Sequence, residues 1–317
     1  MKLTRVVDSF PSVTLESFSG GLPVEVSLIA QLGHGAGDHL YNSVFAKQQH
    51  HQHYVDELEE PSTKLSGVKA EMNDMSSLYS FTLGAKGHPF HSHKGQRIFT
   101  AVSGSGGTQL RFSTASNDQI QQDPHQFIEA LRFINIPPDC MFTVRFGSEA
   151  WHQFMPRAKS SLHPTLFALS CHPNELESIE SAALKEQISN DDATIPSLTE
   201  LLPPDVMKIL NNKLVSENTV PTTTLSLDAQ EGTLKRLLCN VTRCTLGLLR
   251  GTWSARVKSS GYLSHKLPRK HTVTTYSEPA EDSLLLKHLA DKPLHHQDSF
   301  RLGSIYLTSQ VFQTSHF

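Results

Sequence analysis

The sequence predicts a mainly β protein: a sandwich or barrel over residues 66–175, then a helical connector and a smaller α+β unit. Three observations carry this expectation. The window holds six segments of 6–10 residues rich in aromatic and β-branched types. Gly, Pro, Ser or Asn bound each of them, the punctuation of strands joined by turns. Clear helical periodicity with apolar spacing begins only after residue 175.

In chain order, residues 1–65 read as an N-terminal extension packing on the barrel. "PVEVSLIAQL" alternates like a strand, and "HLYNSVFAKQQHHQHYVDELEEP" reads as a polar helix. Its His50, His51 and His53 point in different directions on a helix and are expected to face water. Within 66–175 the strands are "SSLYSFTLGA", "RIFTAVSG", "GTQLRFSTA", "LRFINIPP", "CMFTVRFG" and "PTLFALSCH". The polar interruption "SNDQIQQDPHQFIEA" reads as a loop with a helical turn. Residues 176–218 read as the helical connector, with apolar spacing at Ile179, Ala182, Ala183 and Leu184, then at Leu198, Leu201 and Leu202. Pro203-Pro204-Asp205 opens a fresh helix there. "SENTVPTTT" marks a boundary near residue 218. In 219–317, "EGTLKRLLCNVTRCTLGLLRG" predicts a helix stopped by Gly251, with strand-like "SARVKS", "HTVTTYSE" and "SIYLTSQVF" around it.

Composition excludes several classes of function. With 28 basic and 31 acidic residues in 317, the net charge of -3 leaves no footprint for nucleic acid or an anionic membrane. No apolar run approaches the ~20 residues of a membrane span. The start "MKLTRVVDSFPSV" lacks the apolar core of a secretory signal. The four cysteines form no CxxC pair, so the expected setting is reduced and cytoplasmic. No dinucleotide, phosphate-loop or G-x-S-x-G motif is present.

The informative stretch is "GHPFHSHKGQRIFTAVSGSGG", residues 87–107. Positions i and i+2 of a strand share a face, so His91 and His93 project together and Ser92 points away. A metal ion needs a third ligand, and "VRFGSEAWHQFMP" offers His152 just after a strand and a turn. In a small barrel that turn brings His152 back towards the other two.

These residues resemble the cupin superfamily, whose first motif runs G-x5-H-x-H-x(3,4)-E-x6-G. Here His91-x-His93 is followed by Arg97 in the place of the Glu, and then by Gly104. The second motif, roughly P-x-G-x-x-H, is looser in Gly147–His152, and Pro137-Pro138-Asp139 resembles the turn that precedes it. The resemblance covers about 110 residues and implies a cupin-type barrel, a double-stranded β-helix.

Arg97 is the departure that matters, since a guanidinium cannot ligate a cation. The remaining set, His91, His93 and His152, resembles the three-histidine sites of thiol dioxygenases and some ring-cleaving dioxygenases, which hold Fe(II). Zn, Mn or Ni are the other divalent ions such a set takes. The implied function is a non-haem iron, dioxygenase-type oxidoreductase acting on a small anionic molecule, with Arg97 clamping a carboxylate. Glu149, three residues before His152, stands as a fourth ligand or a hydrogen-bond partner of a ligand ring. Gln96 takes the Glu position if the count slips by one, and His88 is expected on the rim. The alternative is a non-catalytic cupin that binds a small molecule or metal as a regulatory module. The expected partners are a small-molecule ligand and, as is common among cupins, a second copy in a homodimer; neither nucleic acid nor membrane is expected.

Overall fold

The structure, a computed structural model, describes residues 10–148, 150–158, 160–177, 179–212, 217, 219–227 and 232–259. The chain divides into two units, Met1–Ala255 and Arg256–Phe317, and only residues 256–259 of the second are described.

The first half contains β1 (Ser12–Leu15), β2 (Val24–Gln31), helix α1 (Ala36–Gln48), β3 (Tyr54–Val55), β4 (Ser62–Ser66), β5 (Ser77–Leu83), β6 (His91–His93), β7 (Arg97–Ser103) and β8 (Thr108–Ser113). Two short helices follow, α2 (Asn117–Gln122) and α3 (His125–Glu129). Then come β9 (Leu131–Ile136), β10 (Cys140–Phe146), β11 (Trp151–Pro156), β12 (Leu166–His172), α4 (Ala182–Ser189), β13 (Thr199–Leu201), α5 (Pro204–Asn212), β14 (Thr222–Thr224) and α6 (Leu234–Ser259).

Strand alternation sorts these into two sheets. One has eight strands in the order β1-β2-β10-β7-β12-β5-β4-β3, and the other six in the order β13-β6-β11-β8-β9-β14. Among the described residues, all strand pairings are antiparallel except that of β14 with β9. Val26 and Leu28 of β2, Phe81 of β5, Phe99 of β7 and Phe142 of β10 meet Leu110 and Phe112 of β8, Ile134 of β9 and Phe154 of β11 in one core between the sheets. The facing rings touch across it: Phe99 lies 5.6 Å from Phe154, and Phe112 lies 5.6 Å from Phe146. Removing one such phenyl ring from water is worth on the order of 1.5–3 kcal/mol, so this aromatic layer is a major part of what holds the sheets together.

A second apolar cluster packs on the outer face of the six-stranded sheet, where Trp151, Leu131 and Phe133 meet Phe127 of α3 and Val206 of α5. Trp151 is thus packing, while its neighbour His152 faces the inner core. The motif residue Gly104 has a direct reason: a Cβ there would strike the carbonyl oxygen of Pro164. Asp139, in the expected turn, sits at φ 51° and is fully buried. Its carboxylate accepts the Gly35 and Gly37 N–H groups at 3.2 and 2.9 Å, tying the start of α1 to the sheet.

Several expectations are corrected. The described part of the expected extension, residues 10–65, is no appendage, because β2 pairs along β10 and the boundary at 65 falls inside β4. The polar helix ends at Gln48, leaving His50, His51 and His53 in the turn beyond it. Thr199–Leu201 is a strand instead of a helix; it caps the edge of β6, and the following prolines disfavour helical backbone just before them. Residues 222–224, beyond the boundary drawn at 218, pair with β9 of the six-stranded sheet. Gly251 does not stop α6, which continues through "SARVKS" to Ser259. A helical glycine costs only about 1 kcal/mol when no proline follows. The strand-like segments "HTVTTYSE" and "SIYLTSQVF" lie outside the described residues.

Candidate metal centre

β6 is three residues long, and both its imidazoles face inward. His91 pairs directly with His152 of β11, so these rings lie on neighbouring strands with centroids 4.4 Å apart. His93 is 4.6 Å from His91 and 5.1 Å from His152 by ring centroid. One ligand atom from each of His91, His93 and His152 lies within 4.8 Å of the others. All three side chains are buried.

The hydrogen bonds around these rings fix which nitrogen carries the proton. His91 Nδ1 lies 3.1 Å from the Pro89 carbonyl oxygen, and His152 Nδ1 lies 3.0 Å from that of Ala150. A carbonyl only accepts, so both Nδ1 atoms donate. His93 Nδ1 lies 3.0 Å from Thr199 Oγ1, whose own proton goes to the Ile195 carbonyl at 2.7 Å. The hydroxyl therefore accepts from His93 as well. With the proton on Nδ1, each Nε2 keeps its lone pair, and the Nε2 atoms of His91 and His93 stand only 3.2 Å apart. Nitrogens ~2.0–2.1 Å from one ion would be separated by about that distance. Burial, reinforced by the neighbouring imidazoles and Arg97, holds His91 and His93 well below the ordinary imidazole range, and burial pushes His152 down to about 3. Neutral imidazole is the form that ligates.

His88 is a correction. It is buried, not on a rim, and both its nitrogens are used: Nδ1 donates to the Pro89 carbonyl at 2.8 Å, and Nε2 accepts the Phe154 N–H at 3.1 Å. It buttresses the site and has no lone pair left for an ion. Gln96 does not join the site either, for its amide oxygen accepts from Arg145 Nε at 2.6 Å and Nη2 at 3.1 Å. Glu149 lies outside the described residues.

Arg97 does turn inward. It shares the inner face of β7 with Phe99 and is 2% exposed. Nη1 donates to the Gln96 carbonyl at 3.1 Å, while Nε and Nη2 have no partner. Buried, unmatched donors of this kind are costly unless an acceptor meets them. Burial pulls the guanidinium down to about 10, against the opposing effect of Glu175, Tyr79 and Glu60.

Two further groups are present that the sequence did not single out. Glu60, just before β4, is buried, and its Oε2 lies 3.5 Å from His91 Nε2. Burial pushes its carboxyl up to about 8, with Arg97 pulling the other way. His172 ends β12 facing inward, its Nδ1 2.9 Å from Glu175 Oε1 and its ring stacked 4.5 Å from Tyr79. His172 was legible in principle, since it continues the inward series Leu166, Ala168, Ser170. Glu60 carries no such signal, because it sits in a loop.

Glu60, His93, Arg97, His152, Ser170 and His172 line the polar side of one internal cavity, and Phe81, Phe99, Phe146 and Phe154 its apolar side. It leaves about 10 Å³ for the centre of a water-sized molecule, room for roughly one. A larger groove of about 470 Å³ between Val13–Phe18 and Thr222–Thr223 contains no histidine.

Two facing sheets with these imidazoles on one inner face present a donor set suited to a divalent metal ion. No family model and no curated protein matches the sequence. Solved structures that resemble it include the capsular polysaccharide assembling protein CapF from Staphylococcus aureus, at 12% identity and TM-score 0.29, covering 47% of this chain and 33% of that one. Another is oxalate decarboxylase from Bacillus subtilis, studied for its Mn(II) centres, at 11% identity and TM-score 0.29, covering 53% and 36%. A cupin-like protein from Thermotoga maritima matches at 12% identity and TM-score 0.23, covering 37% and 69%. The chain spans about a third of the length of the first two. Among the described residues, no helix is long and apolar enough to cross a membrane.

Proposed function

We propose that this chain is a metal-dependent cupin oxidoreductase of the dioxygenase type, in which His91, His93 and His152 hold Fe(II). The observation that carries the reading is the shared tautomer: three separate acceptors take the three Nδ1 protons, leaving lone pairs turned towards a common point. Three neutral ligands would suit an ion that must keep open positions for other molecules. The ion, when bound, supplies a centre at which an anionic substrate and O₂ meet.

The chain's own residues do the rest. The two unmatched donors of Arg97 are suited to a bidentate clamp on a carboxylate. The Phe99, Phe146 and Phe154 rings exclude water, which strengthens every charge interaction inside. The decisive measurement is the metal content of protein purified without oxygen, followed by O₂ uptake with a panel of small carboxylates. About one equivalent of iron, lost on His91→Ala, together with carboxylate-dependent uptake, is expected. A second reading, a non-catalytic metal-binding module, is favoured by the smallness of the cavity; bound metal with no uptake from any of the panel would select it.

A further inference from the structure

Over Leu234–Leu248, helix α6 turns its polar side to the protein body and its apolar side outward. We infer that this leucine face is the surface through which two copies of the chain pair, helix against helix.

The inward side carries the arginines. Arg236 and Arg243 stand about two helical turns apart and so share a face. Arg236 is buried, with Nη1 donating to Ser226 Oγ at 3.3 Å, and Arg243 Nη1 donates to the Pro138 carbonyl at 3.3 Å. Cys244, next along, brings its Sγ to 3.7 Å from His34 Nδ1. The other side is left to the outside: Leu234, Leu237, Leu238, Val241 and Leu248 are 53–72% exposed. A contiguous apolar patch of this kind marks a binding face.

The spacing of the patch says what fits it. Leu234, Leu238, Val241, Thr245 and Leu248 follow one another at intervals of four, three, four and three residues. That is the alternation by which one helix lays its side chains between those of another. Thr245, the one polar member, gives its hydroxyl proton to the Thr242 carbonyl at 2.9 Å, so covering it strands no donor. Such a stripe is complementary to itself, and an identical copy fits against it about a two-fold axis.

Charge and size narrow the occupant further. Between Leu234 and Leu248 the charged residues are Lys235, Arg236 and Arg243, and of these only Lys235 is exposed. Two copies therefore meet with little like charge between them. A helix that lies on a lipid surface needs cationic side chains beside its apolar face to meet the headgroups, and here the arginines are turned to the protein body. The seam from Leu234 to Leu248 is ~22 Å long. A single helix pair of that length stands at the small end of specific interfaces, below ~1,200 Å² in total. Docking on the body already holds α6 in place, so pairing does not have to order it. The result is a specific dimer that dissociates on dilution.

The test is sedimentation equilibrium of the full-length protein over a concentration series. Wild type is expected to pass from monomer to dimer as concentration rises. Val241→Glu, in the middle of the seam, should weaken pairing at least tenfold, while Leu162→Glu, 95% exposed and outside α6, should leave it unchanged. An equimolar mixture of Val241→Glu and Val241→Lys should recover association, because opposite charges then face each other. Wild type that stays monomeric throughout overturns the proposal. So does a dimer that neither Val241→Glu nor Leu238→Glu loosens, since the contact then lies elsewhere, and so does a mixture that fails to recover. A monomer that floats with phosphatidylcholine–phosphatidylglycerol vesicles, and ceases to with Val241→Glu, gives the face to lipid and overturns the pairing. Should Val241→Glu lose the far-ultraviolet circular dichroism of wild type, Thr245→Glu carries the same decision.

Discussion

His91 and His152 are direct cross-strand partners, and each donates Nδ1–H to a backbone carbonyl two residues before itself, Pro89 and Ala150. The same local device thus orients both rings, and neither depends on a mobile side chain for its tautomer. His152→Ala is expected to abolish stoichiometric metal binding while the far-ultraviolet circular dichroism stays that of wild type. Full metal retention in this variant would remove His152 from the site.

His93 is oriented differently, through the hydroxyl of Thr199 on β13. Thr199→Val keeps the shape and removes the acceptor, leaving a buried Nδ1–H unmatched. Loss of an orienting partner of this kind weakens metal affinity by ~10–100-fold. Competition with a calibrated chelator measures it.

Arg97 offers its Nε and Nη2 to the cavity. In the metal-loaded protein, Arg97→Met should eliminate the calorimetric signal of acetate binding. In the metal-free protein it should tighten metal uptake, because a neighbouring positive charge is gone. An unchanged acetate affinity counts against the clamp.

His172 gives a pH test away from the triad. Burial pushes its imidazole down to about 3, Arg97 adds to this, and Glu175 pulls weakly the other way; the ordinary value is 6.5. Because the folded value lies below the unfolded one, the unfolded chain takes up the proton first. The contribution of His172 to stability is complete above pH 6.5 and is lost as pH falls towards 3. His172→Gln keeps a donor for Glu175 but cannot titrate. At pH 5 its unfolding free energy should fall with acidification by about 1.4 kcal/mol per pH unit less than that of wild type, one proton's worth. Denaturant titrations of metal-free protein over several pH values provide the slopes.

The N-terminal strands belong to the core, with Val24, Val26 and Leu28 buried between the sheets. Leu28→Ala should cost ~2–5 kcal/mol in denaturant unfolding. A chain beginning at residue 66 is expected not to fold, since it lacks four strands of the larger sheet and Glu60 as well.

The sequence by itself determined the β-rich window, six of its strands and the pairing of His91 with His93, because a period of two is a local property of extended backbone. The inward turn of Arg97, beside Phe99 on β7, came only from the structure. Tertiary structure decided the rest. Period alone does not reveal that residues 12–31 complete the larger sheet, since a strand's partner is set by which edge it can cover. Thr199–Leu201 became a strand for the same reason, despite its helical leucine spacing. The exhaustion of His88 as a ligand followed from contacts with Pro89 and Phe154, one of them 66 residues away. Glu60 is the clearest case. A loop carboxylate has no periodicity to announce its direction, and only the folding of one sheet over the other carries it into the cavity beside His91.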